Sequence, residues 1–126
     1  NVEKDNVAFF QENIDECLEL IGVPKTRQKV YLAGPMTGYP EFNYPAFHKA
    51  AAKLRAEGYE VFNPAEIAED YGGTEAFDMR QAFAEYTRII CEEVDGLFVL
   101  PGWENSRGAN IEHGLAKMLG LQITYL

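Results

Sequence analysis

The chain has 126 residues, 47% of them hydrophobic, which fits one domain with a real core. Its formal net charge of -9 argues against a nucleic-acid surface, because phosphate backbones demand basic patches, but it leaves open a small anion held by backbone N–H groups at a helix start. No apolar run approaches the roughly 18 residues of a membrane span and no signal-peptide pattern is visible, so no membrane partner and a cytoplasmic location are expected.

Residues 5–21 carry a helical pattern in which Phe10, Ile14, Cys17, Leu18 and Ile21 share a face, and Gly22 and Pro24 end it. Residues 1–28 are therefore expected to form a helical appendage ahead of the first strand, placed to cover the sheet or to meet another subunit. Lys29–Ala33 reads as the first strand, followed by the loop Gly34-Pro35-Met36-Thr37-Gly38. Pro45 marks a helix start, Phe47, Ala50, Ala51 and Leu54 repeat at helical spacing, and Gly58 closes that helix. Residues 59–62 form a second strand, stopped by Asn63-Pro64. A variable stretch with a flexible Tyr71-Gly72-Gly73 turn leads into a helix over residues 77–93. A strand over 97–100, a Gly/Pro/Asn/Ser loop, a further helix and a last strand over 121–125 complete the chain. Cys17 and Cys91 fall in predicted helices without metal-type spacing, and His48 and His113 are isolated, so free thiols and no metal site are expected.

Strands alternating with helices imply a parallel sheet with right-handed crossovers. The expected architecture is α/β, a single-domain, doubly wound (Rossmann- or flavodoxin-like) parallel sheet of about four strands in the order 2-1-3-4, with the extra N-terminal helix. That order places the topological switch point between the strands ending at Ala33 and Leu100. Loops 34–38 and 101–108 then face each other across one crevice, where open α/β sheets hold their ligands. Neither loop is a Gly-x-Gly-x-x-Gly fingerprint or a Walker loop, which disfavours dinucleotide hydride transfer and nucleoside-triphosphate hydrolysis, and no cofactor is expected.

Helix residues Ile111, Leu115, Ala116 and Leu119 form a stripe expected to face the sheet, and Glu112 lies within it. A carboxylate pointing inward at the carboxyl end of a strand is costly unless it is partnered or used. Glu112 either serves chemistry there, or merely caps its helix or twists out to solvent.

The run Tyr31-Leu32-Ala33-Gly34-Pro35-Met36-Thr37-Gly38, together with Asn63-Pro64-Ala65-Glu66 and residues 101–114, resembles the nucleoside 2-deoxyribosyltransferase-like superfamily, in particular its short branch of bacterial and phage proteins of unknown function. The resemblance covers residues 29–126. It implies that Glu112 is a nucleophile attacking the anomeric carbon of a sugar, and that Tyr31 supports it. Carboxylate attack splits glycosidic cleavage into two displacements through a glycosyl-enzyme ester, with water or another base as acceptor. Tyr31 can equally be a core tyrosine whose hydroxyl reaches a loop carbonyl.

Ser106 lies six residues before Glu112, where similar transferases acting on nucleosides carry an aspartate for the 5'-hydroxyl; relatives acting on deoxynucleoside 5'-monophosphates resemble this chain in having serine. A hydroxyl and nearby helix N–H groups can donate to a phosphate that a carboxylate would repel. Ser106 is also an ordinary N-cap residue. The expected substrate contacts are Gly34, Pro35, Met36, Asn63, Trp103, Ser106, Gly108 and Asn110; Trp103 either stacks on a base or serves as an apolar plug or subunit contact.

The chain departs from the superfamily pattern twice. Thr87 aligns with an aspartate that serves the departing base, leaving Asp78, Glu85 or Asp95 as substitutes. Thr37 stands where phosphate-preferring relatives carry arginine, leaving Arg107 or Arg80 to supply positive charge. Two functions follow as expectations: N-glycosidic cleavage or base exchange on a nucleoside 5'-monophosphate, or a non-catalytic nucleotide-binding module using the same pocket. The expected partners are a small-molecule nucleotide or nucleoside and further copies of the chain, as a homodimer or higher homo-oligomer.

Overall fold

In the computed structural model, which describes residues 27–70 and 78–126, four parallel strands run in the order β2-β1-β3-β4. They are β1 (Lys29–Ala33), β2 (Glu60–Phe62), β3 (Gly96–Val99) and β4 (Gln122–Tyr125). Among the described residues four α-helices accompany them: α1 (Tyr44–Ala56), α2 (Pro64–Asp70), α3 (Met79–Glu92) and α4 (Arg107–Met118). The predicted α/β topology and strand order are those observed. The predicted N-terminal helix, Cys17 and the Tyr71-Gly72-Gly73 turn lie outside the described residues. No helix among the described residues is long and apolar enough to cross a membrane.

The central strand explains the layering. Lys29-Val30-Tyr31-Leu32-Ala33 is apolar at four successive positions, and all four are buried, as a strand covered on both faces requires. Its side chains alternate between two cores. Val30 and Leu32 pack with Phe47, Ala51 and Leu54 of α1 and Ala65 of α2. Tyr31 and Ala33 point to the other face, into a core with Ala82, Tyr86, Ile89 and Ile90 of α3 and Ala116 of α4. Tyr31 pairs in register with Leu97 of β3, and Leu97 with Ile123 of β4.

Two details differ from the sequence reading. The buried stripe of α4 is Ala109, Glu112 and Ala116, whereas Ile111 and Leu119 are exposed. Small side chains at 109 and 116, with Gly108 against the Phe83 ring, let α4 close on its neighbours along that narrow stripe, which turns Ile111 outward. The stretch after β2, read as variable, opens with α2. Asn63 Oδ1 accepts the Ala65 N–H at 3.0 Å, Pro64 sits in the first turn, and Glu66 follows. Asn-Pro-Ala-Glu is an N-cap, an N1 proline and an acidic N3 residue, so the signal for this helix was present in the sequence.

Gly34 sets how closely the first loop meets β3, because a Cβ built there would lie 2.8 Å from Leu100 Cβ. Gly34→Ala is expected to lower unfolding stability by about 1–3 kcal/mol through overpacking. Gly114→Ala is expected to act oppositely, adding about 0.5–1 kcal/mol, since its Cβ would meet nothing within 4 Å and helix interiors favour alanine. Urea unfolding of the two variants beside the wild type measures both signs.

Candidate active site

Beyond the carboxyl ends of β1 and β3 lies a cavity of about 720 Å³, bounded by the loop after β1, the starts of α1 and α3, and the first turns of α4. Glu112 lines it from α4, yet its side chain is buried, with the residue 6% exposed. The reason is Tyr31, which stands behind it, fully enclosed between the sheet and α3. The Tyr31 hydroxyl donates to Glu112 Oε2 at 2.5 Å, a short bond linking the central strand to α4. Glu112 Oε1 has no hydrogen-bond partner among the described residues and is not sealed from solvent, so it opens onto the cavity.

Burial dominates the electrostatics of this pair. Loss of hydration pushes the Glu112 carboxyl up to about 8, while the Tyr31 hydrogen bond pulls in the opposite direction. Burial first, and then the Glu112 charge and hydrogen bond, hold the Tyr31 hydroxyl well above its ordinary value. The tyrosine therefore keeps its proton and serves as a fixed donor, and the carboxylate is the group that titrates.

The loop after β3 is shaped by its own polar groups. Trp103–Asn105 form one 3₁₀ turn, and Ser106 begins α4 with its Oγ accepting the Ala109 N–H at 3.1 Å. Asn110 Nδ2 donates to the carbonyls of Trp103, Glu104 and Ser106 at 3.3, 2.9 and 2.8 Å. The Asn110 side chain thus ties the loop to the helix. Ser106 both caps α4 and lines the cavity, beside Arg107 and Gly108. Across the cavity, Asn43 Nδ2 donates to Pro35 O at 2.9 Å and anchors the first loop.

Of the residues expected at the site, Gly34, Pro35, Met36, Ser106, Gly108 and Glu112 surround this cavity, with Tyr31 supporting Glu112 from behind. Three lie elsewhere. Asn63 is buried, with its oxygen on the α2 cap and its nitrogen 3.3 Å from His48 Nδ1. Trp103 stacks on His113 at 4.2 Å and lines a separate depression with Tyr125 and Leu126. Asn110 is occupied by the loop carbonyls. Thr87 does not line the cavity; its hydroxyl donates to Phe83 O of its own helix at 2.7 Å. Asp78 caps α3, Glu85 pairs with Arg88, and Asp95 accepts the Lys29 N–H. Among the described residues Glu112 is the one carboxylate lining the cavity, and Arg107 is the one cation. The apolar wall of Tyr39, Phe42, Tyr44, Phe47, Met79, Phe83 and Ile111 was not expected. Its sequence signal is the same apolar periodicity that marks any core.

Residues 28–125 match the family described as a domain of unknown function, DUF4406. The chain belongs to that family. No curated protein matches it. The match spans both loops and every described residue that lines the cavity.

The raised Glu112 carboxyl makes the DUF4406 domain's stability depend on pH. Its folded value of about 8 lies above the ordinary 4.5, so the folded state holds the proton more tightly than the unfolded chain between those values. Stability is therefore expected to fall as pH rises through this window, by up to about 5 kcal/mol. Glu112→Gln removes the titration while keeping an acceptor for Tyr31. Urea unfolding at several pH values should show the variant gaining on the wild type from pH 5 to pH 9; parallel curves would contradict the buried, titrating carboxyl.

Proposed function

We propose that this DUF4406 domain cleaves or exchanges the N-glycosidic bond of a nucleoside 5'-monophosphate, with Glu112 as nucleophile. The observation that carries this reading is the Tyr31–Glu112 pair: a buried carboxylate, held on one oxygen by a fully enclosed hydroxyl, with its other oxygen open to a ligand-sized cavity. Oε1 attacks the anomeric carbon, and the base leaves with the electrons of the C–N bond. A glycosyl ester on Glu112 remains until water or a second base takes the sugar. Tyr31 orients the carboxylate and keeps its own proton throughout. The phosphate lies by Ser106, the Arg107 guanidinium and the N–H groups that begin α4, where anions are favoured.

A carboxyl pushed up to about 8 is mostly neutral at pH 7, which holds back a nucleophile. Positive charge developing on the sugar in an oxocarbenium-like transition state favours the ionised form, so attraction for Glu112 is greatest when it is needed. The neutral resting state, and the absence of a second cavity carboxylate among the described residues, favour the other reading, a module that binds a nucleotide without turning it over. The chain works in the cytoplasm on this account, as a homo-oligomer.

Incubation with nucleoside 5'-monophosphates is expected to release free base, detected by chromatography. The value of kcat/KM should rise about tenfold per pH unit below pH 8 and level off above it, because the ionised carboxyl is the active form. Glu112→Gln should lose several orders of magnitude in rate. Nucleotide binding without base release at any pH would leave the binding module as the function. Sedimentation at micromolar concentration tests the assembly; a species near the 14.2 kDa chain mass means a monomer.

A further inference from the structure

Four large apolar side chains stand exposed around the cavity: Tyr39 at 40%, Phe42 at 43%, Met79 at 57% and Ile111 at 51%. Two come from the loop between β1 and α1, and two come from α3 and α4. Phe42 is held there against backbone preference. Glu41, Phe42 and Asn43 have φ values of 53°, 54° and 62°, three successive non-glycine residues in the left-handed region. L-residues enter that region rarely, and then singly. The arrangement is fixed by Pro40 at the start of the turn and by Asn43 bonded to Pro35 O. Neither the left-handed turn nor the exposed rim is favoured by folding alone, and strain of this kind concentrates where a ligand is clamped.

The polar groups of the cavity are unevenly placed. Asn105, Ser106, Arg107 and Glu112 lie on or next to the start of α4, which the proposed function assigns to the phosphate and the sugar. Away from α4, the described lining side chains offer only the Thr37 hydroxyl and tyrosine hydroxyls to a base. An ordinary base buried against this wall would lose water from the donors and acceptors of its pairing edge without side-chain amides or carboxylates to replace it. A base whose edge is already blocked has less to lose, and its added apolar surface covers the rim. The volume of about 720 Å³ is in the upper half of the roughly 300–1,000 Å³ range of small-molecule sites, leaving space for such an extension.

Resting on the reading of this cavity as a nucleotide site, we infer that its preferred ligands are nucleoside 5'-monophosphates with an enlarged base blocked along its hydrogen-bonding edge, as by alkylation or a fused exocyclic ring. The site selects by apolar contact with Phe42, Tyr39, Met79 and Ile111 and disfavours unmodified bases by the desolvation of their edges. Damaged or adducted nucleotides are the chemical class that this describes.

Calorimetry on Glu112→Gln protein, which binds without turnover, compares adenosine 5'-monophosphate with its 1,N6-etheno derivative, in which a fused ring covers the pairing edge. The etheno compound is expected to bind at least about tenfold more tightly. Phe42→Ala and Met79→Ala, each introduced separately at an exposed position, should cut that ratio to about threefold or less. If adenosine monophosphate binds and the etheno compound binds equally or more weakly, the inference is overturned and the nucleotide reading stands. If neither binds, the nucleotide reading itself fails. A preference that survives unchanged in both rim variants removes the rim from recognition and overturns the inference in that way.

Discussion

A carboxylate cannot be placed between a sheet and a helix without something to hold it, and in this domain that something is one phenolic hydroxyl. The Tyr31–Glu112 hydrogen bond joins the most buried strand to the helix that forms one wall of the cavity. The Tyr31 ring is fully buried in a core that includes residues of β3 and α3, and its hydroxyl is spent on Glu112. The strand, the helix and the cavity are consequently one mechanical unit. Any shift of α4 along the sheet would strand a buried carboxyl, and the cost of that fixes the helix more firmly than its narrow alanine stripe could.

On the proposed reading the same burial governs reactivity. Desolvation raises the Glu112 carboxyl, and the low-dielectric surroundings that penalise the lone anion would also strengthen its attraction for the cation-like sugar of the proposed reaction. Tyr31 counters part of the penalty and fixes which oxygen faces the cavity. A carboxyl on the surface would be fully ionised at neutral pH but would gain little from a developing charge across water. In the proposed reaction, burial would exchange ground-state availability for transition-state affinity.

Around this pair, the loops are held by side chains spent on backbone groups. Asn110 gathers three carbonyls, Ser106 caps α4, Asn43 holds Pro35 and Asn63 caps α2. These bonds leave the cavity walls to apolar residues and concentrate its polarity at the start of α4. With a net charge of -9 over the chain, the anionic ligand proposed for this cavity would be attracted only locally, by Arg107 and the helix start, and not by the field of the whole molecule.

By itself the sequence determined the layered α/β fold, because Val30-Tyr31-Leu32-Ala33 and the residues around Leu97 can only be central parallel strands, and the helical periodicities between them leave one simple strand order. It also singled out Glu112, through the conflict of a charged residue in an apolar helical stripe. Tertiary structure alone decided which way that stripe turned, since Ile111 and Glu112 are neighbours in sequence, and only the close packing of Ala109 and Ala116 buries one and exposes the other. It likewise decided that Asn63 and Asn110 serve the backbone and that core-like aromatics from three parts of the chain meet as a cavity wall. Periodicity reports that a side chain is apolar and which face it shares with its neighbours in sequence; whether that face meets another element or an opening is fixed by residues distant in the chain.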